Sequence, residues 1–185
     1  MNHSVTSRQE ILRVSRELMA QKGWPAVNIR GVAGACGVSV GSIYNYFASK
    51  EELVGAVVES VWQDIFRRPQ DPDVFQDAQA CVAWLYQCMD QGSRDYPDFF
   101  TLHAVSFLPG EKFQGKQRMQ KVWGHILEQL CQVLRSDKKI RPDAFDQRLS
   151  LEQFADVIFS LMLSALVRRD YNPTGVQEII RRTLY

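Results

Sequence analysis

Residues 26–53 read AVNIRGVAGACGVSVGSIYNYFASKEEL. Two short apolar-periodic runs lie in it, separated by Gly37-Val38-Ser39, and each follows a residue suited to capping a helix. Asn28 predicts a helix over 29–36 and Ser39 one over 40–47. Gly37 stands where a helix ends in left-handed geometry, which only a residue without a Cβ adopts cheaply. Ala33 is small enough for a close crossing. Val38 and Ile43 fill the angle between the helices, and Phe47 packs beneath the second. Two helices joined by a short turn holding Gly make a helix-turn-helix, whose second helix enters a major groove. Gly31 and Gly34 lie inside the first of the two, each costing about 1 kcal/mol relative to Ala.

Outward from this stretch the signals stay helical. Ser7 can cap a first helix, with Glu10 completing a capping box. Ile11, Leu12, Ser15, Leu18 and Met19 then share one face, and Gly23 with Pro25 ends it. Ser49 caps a fourth helix running to about residue 68, with Glu51 and Glu52 in the first turn where the dipole favours anions. Pro69 and Pro72 break the chain. Further helices are predicted at about 73–92, 97–107, 112–137, 150–169 and 173–184, bounded by Gly92 with Pro97, Pro109-Gly110, Pro142 and Asn172-Pro173. The reading is an all-α chain of about nine helices, with a three-helix unit over 1–50 and a helical bundle over 51–185.

The net charge is +1, yet the halves differ: residues 1–50 sum to +4 and the remainder to −3. A basic N-terminal part suits a polyanion. No apolar run approaches the ~18 residues of a membrane span, and the N-terminus lacks the apolar core of a signal peptide, so the expected location is the cytoplasm. The four cysteines form no CxxC and are expected to be reduced and buried. No nucleophile–base pair, phosphate loop or metal-ligand cluster is visible, so neither an enzyme nor a cofactor is expected. His103 and His125 stand apart from any such cluster.

The order of residues from 7 to 55 resembles the DNA-binding domain of the TetR family of bacterial transcription regulators. The resemblance is carried by the helix-1 pattern ending in Lys22-Gly23-Trp24, by Asn28-Ile29-Arg30, Val32-Ala33 and Gly37-Val38-Ser39, by Gly41-Ser42-Ile43-Tyr44 and Tyr46-Phe47, and by Ser49-Lys50-Glu51-Glu52-Leu53. It covers under a third of the chain. It implies a homodimeric regulator, a repressor, that binds a palindromic double-stranded operator and answers to a small effector. Carried onto this sequence, Asn28 and Arg30 would meet phosphates at the second helix. Ser39, Val40, Gly41, Ser42, Tyr44, Asn45 and Tyr46 would line the groove or its edges, and Lys50 would anchor a phosphate. Ser39 also reads as a cap, and Tyr44 as a core residue. Val40 stands where the family often has a polar or basic side chain, and it offers only an apolar contact.

The resemblance places effector binding and dimerisation in the larger part. The helix at 150–169 is apolar nearly all round and must be covered on more than one side. Phe154, Ile158, Leu161, Met162, Ala165 and Leu166, with Val176 and Ile180 of the last helix, are the expected subunit face. The alternative is the central helix of a monomeric core. Trp62, Phe66, Trp84, Cys88, Phe99 and Phe100, with His103, Phe107, Trp123 and Phe159, are the expected lining for an apolar or aromatic effector, although such stripes also form cores. Two rival functions stay open here: a helical protein that binds small molecules or other proteins without an operator, and an enzyme.

Overall fold

The computed structural model describes residues 6–67, 72–103 and 113–185. Among them the regular structure is helical: α1 (Arg8–Lys22), α2 (Ile29–Cys36), α3 (Val40–Tyr44), α4 (Lys50–Ile65), α5 (Ala78–Asp95), α6 (Phe99–His103), α7 (Phe113–Ser136), α8 (Leu151–Arg168) and α9 (Thr174–Leu184). Short 3₁₀ turns occupy Trp24–Ala26 and Pro72–Phe75. None of the described helices is long and apolar enough to cross a membrane. The chain forms two compact units, Met1–Asp64 with Gly92–Met119, and Ile65–Gln91 with Gln120–Tyr185.

In the first unit the helix ends follow from local chemistry. Ser7 Oγ accepts from the Glu10 amide at 3.1 Å and starts α1. The Glu10 carboxylate turns instead to Arg13, so the expected reciprocal half of the capping box gives way to an ion pair one turn on. α1 buries Ile11, Ser15, Leu18 and Met19, while Leu12 is only half-buried at the edge of that face. Asn28 Oδ1 accepts from the Gly31 amide at 3.0 Å and caps α2. Gly37 closes α2 at φ +67°, and the Val38 amide reaches back to the Ala33 carbonyl at 3.0 Å. α2 packs on both α1 and α3. α3 is shorter than expected, since regular helix stops at Tyr44, though Phe47 N–H still bonds the Ile43 carbonyl at 3.1 Å. Ile43, Phe47, Leu53 and Val57 are fully buried.

The same unit holds an aromatic nucleus. Trp62 of α4 has its ring centre 5.1 Å from that of Phe99 and 5.3 Å from that of Phe100, tilted against both. Offset and tilted rings set the negative face of one against the positive edge of the other. Tyr96 donates its hydroxyl to Asp64 Oδ2 at 2.6 Å, and Arg16 of α1 lies 4.0 Å from the other oxygen of that carboxylate. Gly92 does not stop α5, which runs on to Asp95; the break comes at Pro97, where Asp98 takes φ +64°.

In the second unit α5 starts at Ala78, not near 73, because Asp77 Oδ1 takes the Ala80 amide at 2.7 Å while Pro72–Phe75 forms its own turn. Buried Asp137, just past α7, accepts from the amides of Ala78 and Lys139 at 3.0 and 2.9 Å and from the Tyr185 hydroxyl. One carboxylate thereby joins the start of α5, the turn after α7 and the last residue. α8 opens with a full capping box between Ser150 and Gln153. It ends on Arg169, which sits at φ +54°.

Phe154, Ile158, Met162, Ala165, Leu166, Val176 and Ile180 are buried, and Leu161 is half-buried. Their own chain already covers most of the surface of these residues. The outward side of α8 carries Val157, Ser160, Ser164 and Val167 at helical spacing, with exposed Ile179 on α9. All four cysteines are free, and burial pushes the Cys81 and Cys88 thiols up to about 12, far from the thiolate form.

Candidate nucleic-acid interface

The residues expected to meet DNA sort into those that hold the fold and those that face outward. Asn28 belongs to the first group. Its Oδ1 caps α2, and its Nδ2 donates to the carbonyls of Pro25 and Ala26 at 3.2 and 3.4 Å. The Ala26 carbonyl also explains Gly31. A Cβ at that position would lie 2.2 Å from the Ala26 oxygen, so the loop before α2 can seat only against a bare Cα. Gly34 has no such neighbour, and its cost to the helix has no counterpart in the fold.

Ser39 caps α3 by accepting from the Ser42 amide at 3.1 Å, and the two serine hydroxyls bond each other at 2.9 Å. Tyr46 donates its hydroxyl to the Thr6 carbonyl at 2.6 Å, so its single donor hydrogen serves the segment leading into α1. Arg8 completes this clamp. Its guanidinium lies 4.4 Å from the centre of the Phe47 ring, donates to the Tyr46 carbonyl at 2.9 Å and pairs with Glu52 at 3.3 Å. The Glu52 carboxylate in turn accepts the Ala48 amide at 2.7 Å. The chain separations here are 38 to 44 residues, so no local pattern announces the contact.

The outward group is small. Val40 is 40% exposed and Tyr44 48%, the latter no core residue, and Gly41 and Asn45 stand open beside them. Among the six cations of residues 1–50, Arg8, Arg13 and Arg16 face carboxylates within the unit. Lys22, Arg30 and Lys50 are exposed and pair with no carboxylate among the described residues. Arg30 stands in the first turn of α2 and Lys50 in that of α4, one on each side of α3 in the sequence. Lys22 was missed as a candidate, since a lysine in the last turn of a helix also reads as a partner for the dipole.

This arrangement, with α3 laid on a frame of α1 and α2, is the one whose sequence pattern recurs elsewhere. Residues 11–57 match the bacterial regulatory proteins, tetR family. The HTH-type transcriptional repressor KstR2 of Rhodococcus jostii (strain RHA1) is 36% identical over 88 residues, 45% of this chain and 43% of that protein. Residues 11–57 thus carry the tetR-family pattern. A second relative, the HTH-type transcriptional regulator UidR of Escherichia coli (strain K12), is 27% identical over 66 residues, covering 36% of this chain and 34% of UidR. The chain thus spans under half the length of the curated relatives it matches.

Solved structures carry the likeness of fold beyond the TetR motif. BioQ, crystallised with its double-stranded DNA operator, aligns with a TM-score of 0.61 over 97% of this chain and 98% of BioQ, at 17% identity. The fatty acid degradation regulator FadR of Bacillus halodurans aligns at 0.60 over 97% and 95%, at 15% identity.

The residues expected to line an effector pocket are divided between the two units. Trp62, Phe99 and Phe100 belong to the first unit, whereas Phe66, Trp84, Cys88, Trp123 and Phe159 belong to the second. In the second, Trp123 meets Phe159 edge-on with centres 5.4 Å apart, and Trp84 meets Phe75 at 5.6 Å. His103 lies in α6, and Phe107 lies outside the described residues. Among the described residues no group of three or more His, Cys, Asp or Glu is arranged to hold a metal.

Proposed function

We propose that the chain is a transcription regulator, a repressor, that binds a near-palindromic operator as a homodimer and leaves it when a small apolar or aromatic effector binds. The observation that carries this is the outward group around α3: two unpaired cations in helix first turns, flanking a helix whose exposed side is small and open. Arg30 and Lys50 then grip phosphates, and Val40, Gly41, Tyr44 and Asn45 approach base edges. Ser39, Ser42, Asn28 and Tyr46 act mainly by fixing α2 and α3 in register. That BioQ was solved on an operator with this fold supports the reading.

Residues 1–50 are proposed as the DNA-binding part and 51–185 as the part that binds effector and partner copy. The dimer surface is assigned to the outward side of α8 with Ile179, since the inward residues are occupied. α4 is the proposed lever. It is tied to α1 by the Arg8–Glu52 and Arg16–Asp64 pairs and to the turn before α6 by Tyr96. An effector that favours a shifted α4 releases DNA only if it binds the shifted state more tightly.

The test is selection of bound sequences from random double-stranded DNA, followed by salt titration. A palindromic consensus is expected. Arg30→Ala and Lys50→Ala should each weaken binding and flatten the slope of log affinity against log salt by about one. No enriched sequence, or wild-type binding by both variants, overturns the reading.

A further inference from the structure

On α3 the side chains at 40, 41, 44 and 45 share one side of the helix. What that side offers chemically is mostly carbon. Val40 is an exposed isopropyl group with no polar atom, and Tyr44 stands one turn on with its ring half in solvent. Gly41 is not demanded by the fold: its backbone is not left-handed, and a Cβ there would meet only Ser39 Oγ, at an ordinary 3.7 Å. The hydroxyls of Ser39 and Ser42 bond each other and the helix end, leaving one hydrogen between them for an outside acceptor. Asn45 supplies the one amide. Such a face is poorly furnished for reading a groove edge by hydrogen bonds. It suits the one apolar group that the major groove of B-DNA presents, the C5 methyl of thymine.

We propose that Val40 is a specificity-determining residue and that it selects its site by seating a thymine methyl. The bare Gly41 lets the helix approach closely enough for that contact, and the Tyr44 ring closes the apolar wall. Arg30 and Lys50 supply the complementary charge that holds the helix against the phosphates on either side. The proposal rests on the DNA-binding reading above and adds which chemical group distinguishes the site.

The experiment uses the full chain and the operator chosen from random DNA. Each thymine is replaced singly by deoxyuridine, which deletes the methyl and leaves every hydrogen-bonding group in place, and affinity is read by fluorescence anisotropy at fixed salt. One position in each half-site should weaken binding about four-fold, the ratio expected for one buried methyl-sized group, and about fifteen-fold when both half-sites are changed. Val40→Ala should bind thymine and deoxyuridine duplexes equally within two-fold. Val40→Thr, which keeps one methyl, should fall between. Insensitivity at every thymine overturns the proposal, as does a methyl effect that survives in Val40→Ala. If the random pool yields no bound sequence, the DNA-binding reading fails instead.

Discussion

The two units solve the same problem, ending and joining short helices, with polar groups of different reach. In the first, the caps at Ser7, Asn28, Ser39 and Ser49 each bond an amide three residues away. In the second, the central polar group is Asp137, which reaches Ala78 across 59 residues and Tyr185 across 48. The first unit adds to these caps a long-range clamp, in which Arg8 meets Tyr46, Phe47 and Glu52. Long-range closure makes the second unit cooperative, since one carboxylate fails or holds for three segments together.

The largest expected effect breaks that carboxylate. Asp137→Ala should cost about 3 kcal/mol in urea unfolding, because buried donors lose a charged acceptor together. A loss under about 1 kcal/mol would show that Asp137 is no keystone. Next comes a steric demand of the first unit. Gly31→Ala should cost about 2 kcal/mol, as the added methyl must displace the Ala26 backbone. Its control, Gly34→Ala, should do the reverse and raise stability by about 1 kcal/mol, since space is open and Ala is the better helix former. Equal effects would dissolve the contrast between these two glycines. The smallest concerns the helix ends. Gly37 and Arg169 occupy the same left-handed position, at φ +67° and +54°. Arg169→Gly should therefore raise the melting temperature, by an amount corresponding to about 0.5–1 kcal/mol, while Gly37→Ala lowers it.

How much was legible in the sequence follows the same division of reach. The bounds of α2, the turn at Gly37 and the caps at Ser7, Asn28, Ser39 and Ser49 could be read because each depends on neighbours within four residues. α8 and α9 could be read to within about a residue for the same reason. The face of α8 could not. A helix apolar nearly all round says that it is covered, not which side is covered by its own chain, so inward Ile158 and Met162 were assigned to a partner and outward Val157 and Val167 were not. The stop expected at Gly92 failed because a buried glycine is tolerated inside a long helix, and only Pro97 removes an amide. Arg8 and Tyr46 escaped because their partners lie about 40 residues away. Gly31 looked like a defect until the Ala26 carbonyl was seen above it.

The clamp of Arg8 on Phe47, Tyr46 and Glu52 has a consequence for how such a protein diversifies. It secures the far end of α3 with groups drawn from α1 and α4. The side chains at positions 40, 41, 44 and 45 take no part in that clamp. Under the proposed function they form a cassette in which residues can be exchanged without breaking the clamp, so new target preferences can be sampled by drift or by library.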